Sequence, residues 1–177
     1  EAPERGATYA HGADWAKESH WTIITTLRTD VRPFRLVAFT RAGRVPFPDM
    51  LRLFEDRLRA YGGPACHDAT GIGGPISDFL LTRDAEGIIM TGRTRSDLIH
   101  DYIAAIERGE IRAPMIRYMH DEHRHATLAD LGPSGHLPDS IVAGAMALRA
   151  AKRKPPPTYG ASFSLTVPSS VRPAKVS

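Results

Sequence analysis

Trp21-Thr22-Ile23-Ile24-Thr25-Thr26-Leu27 is the stretch that decides the fold. Six of its seven residues are β-branched or aromatic, the composition of a strand on a pleated, half-buried surface. Ahead of it, residues 7–14 read as a shorter strand that ends at Asp14. Behind it, Phe34-Arg35-Leu36-Val37-Ala38-Phe39 reads as a third strand, with Asp30 through Pro33 supplying the turn. Three strands so closely connected predict an antiparallel meander.

Beyond the meander the pattern alternates. Pro48 opens a helix whose apolar positions Leu51, Phe54, Leu58 and Tyr61 fall at helical spacing, and Gly62-Gly63-Pro64 stops it. Ala65-Cys66-His67-Asp68 reads as a fourth strand, and Pro75 through Leu81 as a short helix. Gly87 to Thr91 reads as a fifth strand, followed by a helix from about Ser96 to Arg108 that Gly109 ends. Ile111 to Pro114 is extended, Met115 to Ala126 is helical, and Pro138 starts a last helix. The expected order is β-β-β-α-β-α-β-α-α-α. It predicts an α/β domain of the ribonuclease H-like arrangement, a mixed five-stranded sheet with helices on both faces. The first and fourth strands are then neighbours, which brings Asp14 and Asp68 to adjacent strand ends. The last helix brings Asp139 to the same edge.

Composition narrows the partners. The 177 residues suffice for one domain with a sizeable core. No apolar run approaches the roughly 18 residues of a membrane span, and no signal peptide is apparent. The chain starts Glu-Ala-Pro-Glu-Arg without Met and reads as part of something longer. A single cysteine, Cys66, rules out an internal disulfide and reads as a small buried hydrophobe in a reducing cytosol. The net charge of +3 divides unevenly: residues 152–177 hold five basic residues and no acid. Residues 1–151 are therefore slightly acidic, so nucleic-acid binding there needs a local stripe rather than a global charge. With Pro155-Pro156-Pro157 at its start, 152–177 reads as a basic, Pro-rich, flexible tail after a domain of residues 1–151.

Four stretches together resemble the nuclease domain of phage and prophage terminase large subunits, the motors that cut and package viral DNA. These are Gly12-Ala13-Asp14-Trp15-Ala16 through Ile24, Asp68-Ala69-Thr70-Gly71-Ile72-Gly73, Gly92 through Pro114, and Pro138-Asp139-Ser140-Ile141 through Ala147. They span most of residues 8–150. The resemblance implies metal-dependent cleavage of double-stranded DNA by Asp14, Asp68 and Asp139, in the cytoplasm of a bacterial host. Hard cations such as Mg²⁺ or Mn²⁺ suit carboxylate oxygens, and two of them suit an in-line phosphoryl displacement. It also implies an ATPase domain ahead of this one, with the portal and small terminase subunit as further partners. No phosphate loop of the Gly-x-x-x-x-Gly-Lys-Ser/Thr kind occurs here, so motor activity does not reside in these residues.

Two departures from the family stand out. His20 lies close to where many members place a further acid, with Glu18 as a substitute ligand; Lys17, after the first motif, reads equally as a phosphate contact or a surface lysine. Only Thr127 to Leu137 remains for the β-hairpin that often precedes the final helix.

The remaining candidates each carry an ordinary alternative. Asp139 alone is a normal first-turn acid. Thr70 to Gly74 is either a phosphate cradle or a strand-to-helix turn, and the turn is favoured. His136 can polarise a water or contact phosphate, or simply occupy a loop. His67 alternates away from Asp68 and reads as structural. His120, His123 and His125, with Asp121 and Glu122, read as a solvated helix face rather than a zinc site. Trp15 and Trp21 read as packing residues. Two other readings compete: another ribonuclease H-like nuclease such as a junction resolvase or transposase core, and a non-catalytic DNA-binding or assembly module.

Overall fold

The computed structural model describes residues 1–15, 21–43, 45–71, 73–82, 84–131 and 135–153. Strands β1 (Tyr9–Asp14), β2 (Trp21–Arg28) and β3 (Phe34–Gly43) form the expected antiparallel meander, with a bulge in the β2–β3 pairing between Thr26 and Leu27. Strand β4 (Ala65–Asp68) runs parallel to β1, and β5 (Ala85–Ile88) parallel to β4. A sixth strand, β6 (Ile111–Arg112), lies parallel on β3 and completes the order β5-β4-β1-β2-β3-β6. The sequence reading marked this segment as extended but counted five strands. Two paired residues leave no alternation for a pattern to show.

Helices cover both faces. On one side α1 (Phe47–Tyr61) and α2 (Gly73–Phe79) pack through Met50, Phe54, Leu58 and Ile76 onto Ala13, Ile24 and Ala65. On the other, α3 (Gly92–Glu107) and α6 (Asp139–Lys152) bury Ile99, Tyr102, Ile141 and Val142 against Ala10 and Cys66. Helix α4 (Arg117–His125) joins that face through Met119, and a short α5 (Leu128–Leu131) precedes α6. No helix among the described residues is long and apolar enough to cross a membrane.

Helix α6 is buried on every side, from Ser140 through Leu148 and again at Ala150. Such a helix needs small residues and a small partner. Gly12 of β1 provides the partner: a Cβ there would run into the Ala143 carbonyl and the Ala147 amide. The helix therefore lies directly on the strand backbone. It ends at Lys152, and Arg153 donates to the carbonyls of Ala65 and Asp84 and pairs with Glu86. The rest of the basic segment, 154–177, lies outside the described residues.

Cys66 is fully buried, and burial pushes its thiol up to about 12. That agrees with its reading as a small hydrophobe.

On the α1 face, His11 is fully buried between Thr26 Oγ1 (3.1 Å) and the Gly62 carbonyl (2.7 Å). Burial, the largest effect, holds its imidazole down at about 4, against an ordinary value of 6.5. The unfolded chain then binds the extra proton between those values, so stability is full above pH 6.5 and falls as pH drops toward 4. The loss amounts to on the order of 3 kcal/mol for a shift of this size. A His11→Gln variant is expected to flatten the pH dependence of urea-unfolding stability between pH 7 and 5. An unchanged slope would refute the assignment to His11.

Candidate active site

Side-chain alternation sets the site. Along β1, Ala10, Gly12 and Asp14 share the α6 face, whereas His11, Ala13 and Trp15 face α1. Along β4, Cys66 and Asp68 face α6, and Ala65 and His67 face α1. Ala13 pairs with His67 in the parallel ladder, so Asp14 and Asp68 follow side by side at the carboxyl ends of adjacent strands. Asp139, the first residue of α6, arrives over the same edge because the helix sits on Gly12.

The three aspartates line one cleft of about 290 Å³, together with Arg95 and His136. Asp14's carboxyl is held well above the usual carboxylate range. Burial is the largest cause, followed by the charges of Asp139 and Asp68, with Glu122 adding to them; the Trp15 amide opposes. Negative charge is thus concentrated where a proton or a cation would relieve it. The donors are all oxygens, the set that Mg²⁺ and Mn²⁺ prefer. They are not drawn into a tight cage. Among the described residues, no group of three or more His, Cys, Asp or Glu is placed to hold a metal ion.

Neighbouring residues fix the carboxylates. Asp68 Oδ1 accepts the Thr70 amide at 2.7 Å, and Thr70 Oγ1 accepts the Met90 amide at 2.8 Å. The segment after Asp68 is thereby tied into a turn, the favoured reading. Trp21 N–H approaches Asp139 Oδ2 at 3.4 Å. Behind the site, Trp15 Nε1 donates to His67 Nδ1 at 3.0 Å, with Ser77 Oγ 3.2 Å from Nε2. Both Trp15 and His67 are buried, so His67 is structural, as its alternation predicted.

Three other residues escaped the sequence reading as site residues, Arg95 in the cleft itself and Glu122 and His123 on the helix beside the start of α6. Arg95 Nη2 donates to the carbonyls of Asp130 (3.0 Å) and Gly135 (2.8 Å), which hold its guanidinium at the cleft wall. Glu122 accepts the Ser140 amide at 3.0 Å and reaches the field of Asp14. His123 is within 3.0 Å of the Tyr102 hydroxyl, and burial lowers its pKa. The α4 cluster is therefore not simply a solvated face. Glu122 and His123 turn inward, while His120 and His125 remain exposed. The polarity of all six residues from His120 to His125 concealed which side faces the sheet. Trp21 also departs from its reading, with 38% of its surface exposed. Lys17, Glu18 and His20 lie outside the described residues. Among the described residues between Thr127 and Leu137 there is a helical turn and no strand.

An antiparallel meander continued by parallel strands, with helices on both faces and carboxylates at the β1 and β4 ends, is the ribonuclease H-like fold. The same architecture is found in the large terminase nuclease of thermophilic phage G20c. With bound zinc, that structure superposes at a TM-score of 0.72 with 19% identity, over 84% of each chain. With bound magnesium it gives a TM-score of 0.70 and 20% identity, again over 84% of each. The large terminase nuclease domain of Thermus phage P74-26 gives 0.64 and 17%, over 83% of this chain and 81% of that one. No protein-family model and no curated protein matches the sequence.

Proposed function

We propose that this chain is a divalent-metal-dependent nuclease domain of the large-terminase type, which hydrolyses double-stranded DNA during viral genome packaging. The observation that carries the proposal is the convergence of Asp14, Asp68 and Asp139 on one cleft, where burial first and then the charges of the other two raise Asp14's carboxyl. Asp14 and Asp68 would hold the first ion, and Asp139 would complete the site for a second. Bound there, Mg²⁺ or Mn²⁺ supplies Lewis acidity to a phosphoryl oxygen and lowers the pKa of a water. Arg95, fixed by two carbonyls, presents positive charge to a phosphate in the cleft. His136 lines the same cleft, where it can polarise a water or contact a phosphate. None of these groups reads a base, so cleavage without strong sequence preference follows. An ATPase domain of the same full-length protein, the portal and the small terminase subunit are the partners this reading entails.

The test is plasmid nicking by the purified chain in Mg²⁺, Mn²⁺ and EDTA. Conversion of supercoiled to open-circular DNA with metal, and none in EDTA, is the expected result. One observation favours a second reading, a DNA-binding or assembly module without catalysis: the described residues form no ready metal group. Binding of DNA without cutting under any metal would replace the first reading by the second.

A further inference from the structure

We propose that the Arg41 guanidinium, clamped between Trp21 and Tyr118, is a binding site for a DNA backbone phosphate beside the bond to be cut. This rests on the nuclease reading and adds a positioning residue to it. Arg41 Cζ lies 3.6 Å from the Trp21 ring centroid and 3.6 Å from that of Tyr118. The sheet register puts this stack on the carboxylate face. Asp14 pairs with Ile23, Ile23 with Arg41, and Trp21 with Gly43, so all five positions share one side of the sheet. Trp21, Arg41 and Tyr118 line a second hollow that shares Asp139 and His136 with the aspartate cleft. A strand lying across the aspartates therefore continues over the stack.

The stack is built rather than incidental. Gly43 makes room for the indole: a Cβ there would stand 2.5 Å from Trp21 Cζ3. The Tyr118 hydroxyl bonds to Glu122, which itself accepts the Ser140 amide, so the α4 side is anchored. Arg41 is exposed and, among the described residues, forms no ion pair, although Asp121, Glu122, Asp130 and Asp139 line the same hollow. Two aromatic planes hold the guanidinium in one orientation, which lowers the entropy lost when it engages an anion. A polyanion drawn to a cleft walled by three carboxylates needs a fixed cation at the rim, and Arg41 supplies one.

The test compares wild type, Arg41→Ala, Arg41→Lys and Gly43→Ala in binding a labelled duplex in EDTA between 50 and 200 mM salt. Each lost phosphate contact lowers the salt slope by about 0.9. The affinity deficit of Arg41→Ala should thus be about 3.5-fold larger at 50 mM than at 200 mM. Arg41→Lys should keep the slope and bind more weakly. With metal, Arg41→Ala should raise KM and leave kcat within about twofold. Trp21 emission should change on adding duplex, while buried Trp15 stays silent. Gly43→Ala, which displaces the indole but keeps the charge, should abolish that change. This readout remains decisive if Arg41→Ala does not fold. A wild type that cuts DNA, with no Trp21 response and, where Arg41→Ala folds, an unaltered slope in that variant, overturns this proposal alone. A wild type that neither cuts nor binds duplex overturns the nuclease reading with it.

Discussion

Asp68→Asn is expected to abolish metal-dependent nicking while leaving the unfolding temperature within about 2 °C of wild type. The substitution removes one negative charge and little else. Asp68 Oδ1 accepts the Thr70 amide, and an asparagine carbonyl oxygen can accept the same bond, so the turn after β4 survives. What disappears is an anionic oxygen beside Asp14 and Asp139. Changes even to groups that merely orient a metal ligand commonly cost ten- to a hundredfold, so if Asp68 is a direct ligand, as proposed, its loss should exceed about a hundredfold. Plasmid nicking read beside thermal unfolding separates the two effects. Cleavage retained within tenfold would remove Asp68 from the site.

Gly12→Val should be strongly damaging although it replaces no carboxylate. Overpacking a core by side chain against side chain costs roughly 1–3 kcal/mol, because rotamers yield. Here the obstacles are the Ala143 carbonyl, the Ala147 amide and the Met146 carbonyl carbon, which cannot rotate away. Helix α6 would have to lift off β1, and it is buried along nearly its whole length. A loss of at least about 3 kcal/mol is expected, which for a chain of this size lowers the unfolding temperature by roughly 6–12 °C. Nicking should fall as well, since Asp139 moves with the helix. The pair of variants is diagnostic: one loses chemistry at constant stability, the other loses both. A Gly12→Val protein with an unchanged unfolding temperature would contradict the close docking of α6.

Much of the framework was legible because its signals are local. The β-branched run at 21–27, the spaced apolar residues of α1 and α3, and the Pro and Gly stops each report on a few neighbouring residues. The juxtaposition of Asp14 and Asp68 followed from the inferred arrangement, in which the first and fourth strands are neighbours. Other features depend on contacts between elements, where no local period exists. Strand β6 has two residues, and β5 spans Ala85–Ile88 rather than 87–91 because its partner β4 sets its limits. The helix predicted from Ser96 starts at Gly92. On α4 a lone buried Met119 marks the inner face, too little to reveal that Glu122 and His123 turn toward α6. Arg95 sat inside a recognised stretch, but its role at the cleft comes from carbonyls 35 and 40 residues away. The stack of Trp21, Arg41 and Tyr118 draws on three elements and was invisible for the same reason.

The burial of α6 has a consequence for motion. Proteins open in cooperative pieces, and functional loops usually belong to the pieces that open most easily. Asp139 is the first residue of the helix around which one whole face of the sheet is packed. Amide protons in the buried middle of that helix, from Ala143 to Leu148, should exchange only when the domain comes apart. The third carboxylate stands at the first turn, where amides lack partners within the helix, so movement at the cleft is confined to that turn and to the elements that approach it.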